Sequence, residues 1–562
     1  MYVFRILLSL VIIASVSLAL ADESDRDVPV KLDSELPDEI PDISTFMQMG
    51  SARPAGCSWD GANVFFVSSM SGSPQVFRVD ESGWPHQLTR FEDGVDLASG
   101  YAFFDLCYSG DWGIAGASVG GSELSQLFLV DTRTGATKQL TNNPEARYDE
   151  VFWAKDDKSI IYSSTEENLV DYHIYVMDVR TGNSKKIFGD TLELAGAKYP
   201  VGLSQDGTKL IIERWNSNFN MDLWLLDMVT GEYQMLNQDD SDVRYNYAAL
   251  MPDQKTVYLI CNDNPEGIKR LARMEVGSPD LKFVNDGWLD PEWEVEKLQF
   301  SRDFKHMAAV INEEGYYRLK IREVESKKEL PSPPLEGTFG EPHFDKNGVC
   351  IVDFEGPTRV PDVWSWDAKN EKLKQLTFSS YAGVDRELFS PPTLVKLESF
   401  DGLEIPAFLY LPANYTGDRP IPFVVHAHGG PSSQFRPKFI RIFQYLILNG
   451  YGVLAANPRG SGGYGLEYVS MDDYKNRKKS LQDYKAAADW LISEGYTEKG
   501  KIGIRGGSYG GYVVLGMITE YPDLFSAAID VVGIANFETF LKNTKPYRRK
   551  NREAEYGPLT DP

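Results

Sequence analysis

Histidine is scarce in this sequence and missing from its end. The six are His86, His173, His306, His343, His426 and His428, and none follows. Chemistry placed later in the chain therefore has no imidazole downstream of it to serve as a base. Cysteine is scarce too. Cys57, Cys107, Cys261 and Cys350 are widely spaced, with no C-x-x-C pair. That pattern supports neither a zinc site nor a disulfide-stapled miniature fold, and buried free thiols are the expected state. No cofactor and no metal is called for.

Basic charge is in deficit: 57 Lys and Arg stand against 82 Asp and Glu, a net charge of -25. Such a surface repels phosphate backbones and anionic membranes, which argues against nucleic acid as a partner; otherwise the acidity serves solubility. No apolar run reaches the roughly 20 residues that a membrane span needs. The longest, Ile6 to Leu20, follows a short basic start and runs into Ala19-Leu20-Ala21 ahead of Asp22-Glu23. This is the pattern of a signal peptide cleaved after Ala21, so a secreted or periplasmic protein is expected, with an uncleaved N-terminal anchor as the alternative. The composition leaves the oligomeric state open, a homo-oligomer included.

What is present is a repeat. At 562 residues, 42% of them hydrophobic, the chain exceeds a single core. Seven times, at intervals of about fifty residues, an apolar strand recurs ahead of a turn and a polar strand. The copies begin at Gln75, Gln126, His173, Asp222, Lys269, Arg318 and Asp362, and the clearer ones end on Asp80, Asp131, Asp178, Asp227 and Asp367. A second element precedes most copies, as in Ser58-Trp59-Asp60-Gly61 and Ser204-Gln205-Asp206-Gly207. Two strand pairs per period make four-stranded units, which predicts a seven-bladed β-propeller over 51–388, after a linker at 22–50; a β-sandwich array is the alternative.

After Ser390-Pro391-Pro392 the pattern changes to alternating strands and helices, predicting an α/β domain over 389–562. Phe423 to His428 and Val453 to Ala456 read as buried parallel strands. Ser480 to Glu494 reads as a helix, with Ser480-x-x-Asp483 as its capping box.

The chemistry lies at Gly506-Gly507-Ser508-Tyr509-Gly510, a G-x-S-x-G between the strand Lys501–Arg505 and a helix that ends near Tyr521-Pro522. A sharp strand-to-helix turn leaves no room for side chains at Gly506 and Gly510. It lifts the serine hydroxyl out of the sheet toward a helix N-terminus. Ser508 is the candidate nucleophile. The backbone N–H groups of Tyr509, next in the chain, and of Gly430, in the turn His428-Gly429-Gly430-Pro431, are the candidate oxyanion donors. The His428 side chain is expected to orient its own loop. A second G-x-S-x-G, Gly116 to Gly120, lies inside the repeats with no helix after it, and Ser118 reads as a blade residue.

Taken with Asp401-Gly402 and Asn457-Pro458-Arg459-Gly460-Ser461-Gly462-Gly463-Tyr464-Gly465, these motifs resemble the prolyl oligopeptidase family of serine peptidases, in its acylaminoacyl-peptidase and secreted dipeptidyl-peptidase-like branch. The resemblance implies a propeller standing over an α/β-hydrolase site that admits short peptides and forms an acyl-enzyme on Ser508. It also implies a glutamate pair in the propeller of enzymes that read a free N-terminus. Glu166-Glu167 and Glu313-Glu314 lack the surroundings of that motif and are assigned to solvated loops. The family's triad Asp and His would lie well beyond Ser508, and Asp523, Asp530 and Asp561 are all poorly placed for the role. The expectation is thus a C-terminally incomplete hydrolase domain, inactive as it stands, from a peptidase parent. An esterase on the same scaffold and a non-catalytic propeller binding protein are the other readings.

Overall fold

Each acidic residue that closes a repeated strand turns the chain with its own side chain. Asp131 Oδ1 accepts from the N–H groups of Arg133 and Thr134, Asp178 Oδ1 from Arg180 and Thr181, and Asp227 Oδ1 from Val229 and Thr230. The second repeated element is a turn of the same kind. Ser58, Ser204 and Ser301 donate to Asp60, Asp206 and Asp303 at 2.6, 2.7 and 2.7 Å, and each Oγ accepts a backbone N–H five residues on. A short polar side chain that bonds the backbone two or three residues away competes with the ladder and ends the strand.

The computed structural model describes residues 40–98, 101–189, 194, 196–217, 220–237 and 242–561. The expected signal peptide, 1–21, lies outside them, as does most of 22–50. Pro41 to Pro562 form one compact unit. Seven consecutive antiparallel sheets span Ala52 to Gln375, six with four strands in simple up-and-down order and the last with an extra short strand at its edge. The propeller therefore has seven blades, and every repeat copy named above is a blade's third strand. Apolar residues fill the spaces between adjacent blades. One cluster joins Ile114 and Leu127 of the second blade to Trp153, Ile160 and Tyr175 of the third.

First and seventh blades share no sheet, so side chains close the ring. Arg53 bonds Asp353 and Glu355, each at 2.9 Å, and Lys346 N–H donates to the Trp59 carbonyl at 2.7 Å. All four cysteines are buried and unpaired. Among the described residues no helix is long and apolar enough to cross a membrane.

The second domain is a six-stranded sheet: β1 (Thr393–Glu398), β2 (Glu404–Tyr410), β3 (Phe423–Ala427), β4 (Gly452–Ala456), β5 (Ile502–Gly507) and β6 (Ala527–Val531). Their spatial order is β1-β2-β4-β3-β5-β6, antiparallel through β2 and β4 and parallel from β4 onward. Val425, Ala427, Leu454, Ile502 and Ile504 are at most 1% exposed and form the core with the helices above them. Edge strand β6 is exposed at all five residues, Ile529 and Val531 among them. The chain's own N-terminal segment also packs here. Helix α1 (Ile43–Met47) seats Phe46 edge-on against Tyr445 of α2 (Arg441–Leu448), and Arg441 donates to the Met49 carbonyl at 2.7 Å.

After α3 (Gly465–Ser470), one helix expectation is corrected. Helix α4 spans Arg477–Ser493, so Ser480 lies a turn inside it and donates to the Arg477 carbonyl rather than capping. Asp483 is no cap partner either. Its buried carboxylate pairs with Arg459, because burial supplies a stronger need for a cation than an exposed cap could.

The propeller interior holds carboxyls with few partners. Burial pushes Glu213 up to about 8 and Asp105 to about 7, well above their ordinary range. At these carboxyls the native state binds more protons than the unfolded chain between about pH 4.5 and 8, so their contribution to stability falls as pH rises through that window. In thermal denaturation between pH 5.5 and 8 this falling contribution runs against the rising one of His426 and His428, whose basicity burial lowers, so the carboxyl share is read by substitution. Glu213→Gln should raise the pH 8 midpoint and shift the slope upward, and an unchanged slope in that variant would count against this assignment.

Candidate active site

Strand β5 delivers the chain to Ser508, and helix α5 (Tyr509–Glu520) carries it away. Ser508 has φ 55° and ψ −118°, a left-handed conformation that a side-chain-bearing residue holds only at a cost of about 1–3 kcal/mol. Its surroundings over-determine it. Ser508 N–H donates to Val531 of β6 at 3.0 Å, and its carbonyl accepts from Gly511 and Tyr512 at 3.0 and 3.2 Å. A Cβ on Gly506 would lie 2.2 Å from the Gly510 carbonyl, and one on Gly510 would lie 2.2 Å from the Ala427 carbonyl. Only glycine lets β3, β5 and α5 meet this closely. The result is an exposed serine at the N-terminus of a 12-residue helix, where developing negative charge is favoured.

Tyr509 is anchored from below. Its ring is buried, its hydroxyl lies 2.9 Å from Ser480 Oγ and donates to Asp472 Oδ2 at 2.9 Å, and the Arg477 guanidinium sits 5.1 Å from its centroid. Burial pushes Asp472 up to about 6, against the pull of Arg477. This packing fixes the backbone N–H that follows the serine.

The turn after β3 lies against the elbow. A Cβ on Gly429 would be 3.7 Å from Ser508 Cβ. Gly430 holds φ 131°, and its carbonyl accepts from Tyr556 at 3.2 Å. The His428 ring turns away from the serine: Nδ1 is 2.8 Å from the Gly429 carbonyl and Nε2 is 3.0 Å from Ser461 Oγ. Burial depresses its basicity. His426 is half-buried on the sheet, near Arg505, and desolvation lowers it to about 3.

Two cavities meet here. One, of about 690 Å³, is lined by Ser508, Val532, Phe540, Lys545, Arg548 and Arg552, with propeller residues Gly121 to Leu124 on its far wall. The other, of about 950 Å³, runs from Gly430 and Ser432 to Asp149, Tyr172 and Trp215 inside the propeller. Gly121, Glu123, Arg548 and Arg552 belong to both walls. Elsewhere the domains are joined by Asn312 donating to Gln434 at 2.8 Å and Leu466 N–H donating to the Gly267 carbonyl at 3.1 Å.

The remaining candidates fall outside this constellation. Ser118 follows a blade strand and donates to Asp96 at 2.7 Å. Asp523 is in the turn after α5, Asp530 is in β6, and Asp561 accepts from Tyr474. Glu167 pairs with Lys186 and Glu314 with Lys396; Glu166 is partly buried rather than solvated, and accepts from Tyr148 at 2.9 Å.

Residues after Gly533 were unassigned in the sequence and prove to be two helices, α6 (Phe537–Asn543) and α7 (Pro546–Tyr556). Their signals were present: Asn536 caps α6 by accepting from Thr539, and Pro546 opens α7. They bring Arg548, Arg552, Glu555 and Tyr556 to the site.

A propeller joined to a sheet of this order, with a strained serine between β5 and α5, defines an α/β-hydrolase whose site faces a propeller. The sequence model of the prolyl oligopeptidase family matches residues 437–558, so this part of the chain is similar to that family. Similarity extends further. Dipeptidyl aminopeptidase BIII of Pseudoxanthomonas mexicana is 25% identical over 567 residues, covering 95% of this chain and 77% of the relative. The acylamino-acid-releasing enzyme of Sus scrofa is 26% identical over 212 residues, 38% of this chain and 26% of that protein. In fold, a puromycin-hydrolyzing peptidase of Mycobacterium tuberculosis superposes with a TM-score of 0.79 at 18% identity, over 93% of this chain and 84% of that one.

Proposed function

We propose that this protein is a serine peptidase of short peptides, with Ser508 as the nucleophile that forms the acyl-enzyme. Tyr509 and Gly430 offer backbone N–H groups to the oxyanion, each worth roughly 3 kcal/mol in the transition state. The propeller limits substrates to chains that can enter between the domains. The observation that carries this reading is the exposed, strained Ser508 opening onto a cavity walled by both domains. The names of the relatives support peptide bonds as the target.

The test is prolonged labelling with a peptidyl phosphonate, mapped by mass spectrometry. Ser508 should be modified slowly but ahead of every other serine, because oxyanion donors and binding alone retain about 10³–10⁴-fold over water. The Ser508→Ala variant should show no adduct. Equal modification of Ser118 or of surface serines would remove the nucleophile assignment.

A further inference from the structure

The chain is strongly acidic, yet the cavity at Ser508 is not. Lys545, Arg548 and Arg552 line it against one carboxylate, Glu123. Both arginines stand on α7, four residues apart and so on one face of the helix. Neither is locked away. Arg548 is 45% exposed and meets Glu123 Oε2 through Nη1 at 2.9 Å; Arg552 is 27% exposed and meets Glu555 Oε2 through Nη1 at 3.0 Å. A guanidinium carries five N–H donors in a fork, so each keeps donors for another acceptor. The Glu123 pair is a solvent-exposed ion pair, of the kind that contributes little and exchanges readily. Val532, Ile534 and Phe540 form an apolar flank able to pack an aliphatic stem.

We propose that Arg548 and Arg552 are specificity residues, selecting peptides with an acidic side chain at the residue bound beside Ser508. This rests on the peptidase reading above and names its substrate class. The substrate carboxylate takes the open donors of both guanidiniums, displacing Glu123 from Arg548. Acidic peptides are repelled by the protein as a whole, so the attraction is confined to this cavity and weakens with salt.

The experiment is isothermal titration of the 562-residue chain with two peptides, Ala-Ala-Glu-amide and Ala-Ala-Gln-amide, which differ in one charged group. At low salt the Glu peptide should bind about tenfold more tightly, the scale of hydrogen bonds to a charged group. The preference should shrink at 0.3 M NaCl, on the order of Debye screening at that strength. R548M/R552M should lose it, while R548K/R552K, which keeps the charge but not the fork, should retain part. Circular dichroism of each variant checks folding, and because Arg552 answers the buried Glu555, R548M alone, which leaves that pair intact, carries the test if R548M/R552M does not fold. Equal affinity for the two peptides, or a preference that survives R548M/R552M, overturns the proposal, as does failure of both peptides to bind. Equal affinity with Ser508 still labelled by the phosphonate removes the acidic selectivity and leaves the peptidase. A Glu preference without labelling leaves the anion subsite and removes the nucleophile.

Discussion

A polypeptide of these 562 residues should cleave a peptide p-nitroanilide about a million-fold more slowly than a serine peptidase with its triad intact. A serine hydroxyl is a weak nucleophile until a base takes its proton, and the elbow supplies geometry rather than basicity. The nearest imidazole by sequence position and fold is His428, and both its ring nitrogens are engaged elsewhere, with the Gly429 carbonyl and Ser461. Burial lowers its affinity for a proton further. What remains is electrostatic: the N-terminus of α5 and two backbone donors. Prolonged incubation with product quantified by mass spectrometry measures the rate, and Ser508→Ala sets the background. A turnover number in the ordinary enzyme range of about 1 to 1,000 per second would show that a base does reach Ser508. His428→Ala would then tell whether it is the one.

The two halves of the molecule differ in how far their sequences can be read. The blades were legible because five of the seven third strands end on an aspartate whose side chain makes the next turn, and that bond is local. Gln-Leu-Thr recurs at 87–89, 139–141 and 375–377, and each threonine hydroxyl accepts the N–H of a residue in the third strand of its blade, Val76, Leu127 and Val363. It marks the fourth strand's end as firmly as Asp marks the third's. The elbow was legible for a similar reason, since Gly506 and Gly510 are dictated by backbone contacts within a few residues and the adjoining strand.

Long-range pairing was not legible. Ser480 and Asp483 have the spacing of a cap, but Ser480 bonds inside the helix and Asp483 answers Arg459 in a different motif. Helix α7 is polar around most of its circumference, and only contacts such as Phe537 with Tyr556, with ring centroids 4.8 Å apart, reveal which face it buries. Arg548 and Arg552, which line the cavity at Ser508, come from this helix, so the sequence pointed to Ser508 while hiding part of what surrounds it.

Arg459→Met should destabilise the hydrolase domain by about 3–5 kcal/mol, the cost of leaving a buried carboxylate uncompensated. Asp483 is fully enclosed, and Arg459 is 5% exposed by side chain. Arg459 reaches Asp483 through Nε and Nη2, each at 2.9 Å, while its backbone N–H adds a third bond at 3.0 Å. The other end of the fork takes Asp401 at 2.9 and 2.8 Å, and Ser399 donates to Asp483 at 2.5 Å. One guanidinium thereby ties together the β1–β2 turn, the loop after β4 and helix α4, the first two of which hold motifs that carried the family resemblance. Removing the cation leaves Asp483 with only a hydroxyl and an N–H in a site closed to water. Removing the anion as well, in R459M/D483L, should recover much of the loss, since a buried ion pair replaced by apolar groups is often nearly neutral. Chemical denaturation of wild type, both single variants and the double variant closes the cycle. The expected result is a strongly favourable coupling between the two positions. A loss under about 1 kcal/mol in Arg459→Met, or a double variant less stable than either single one, would mean that the pair is incidental to the domain.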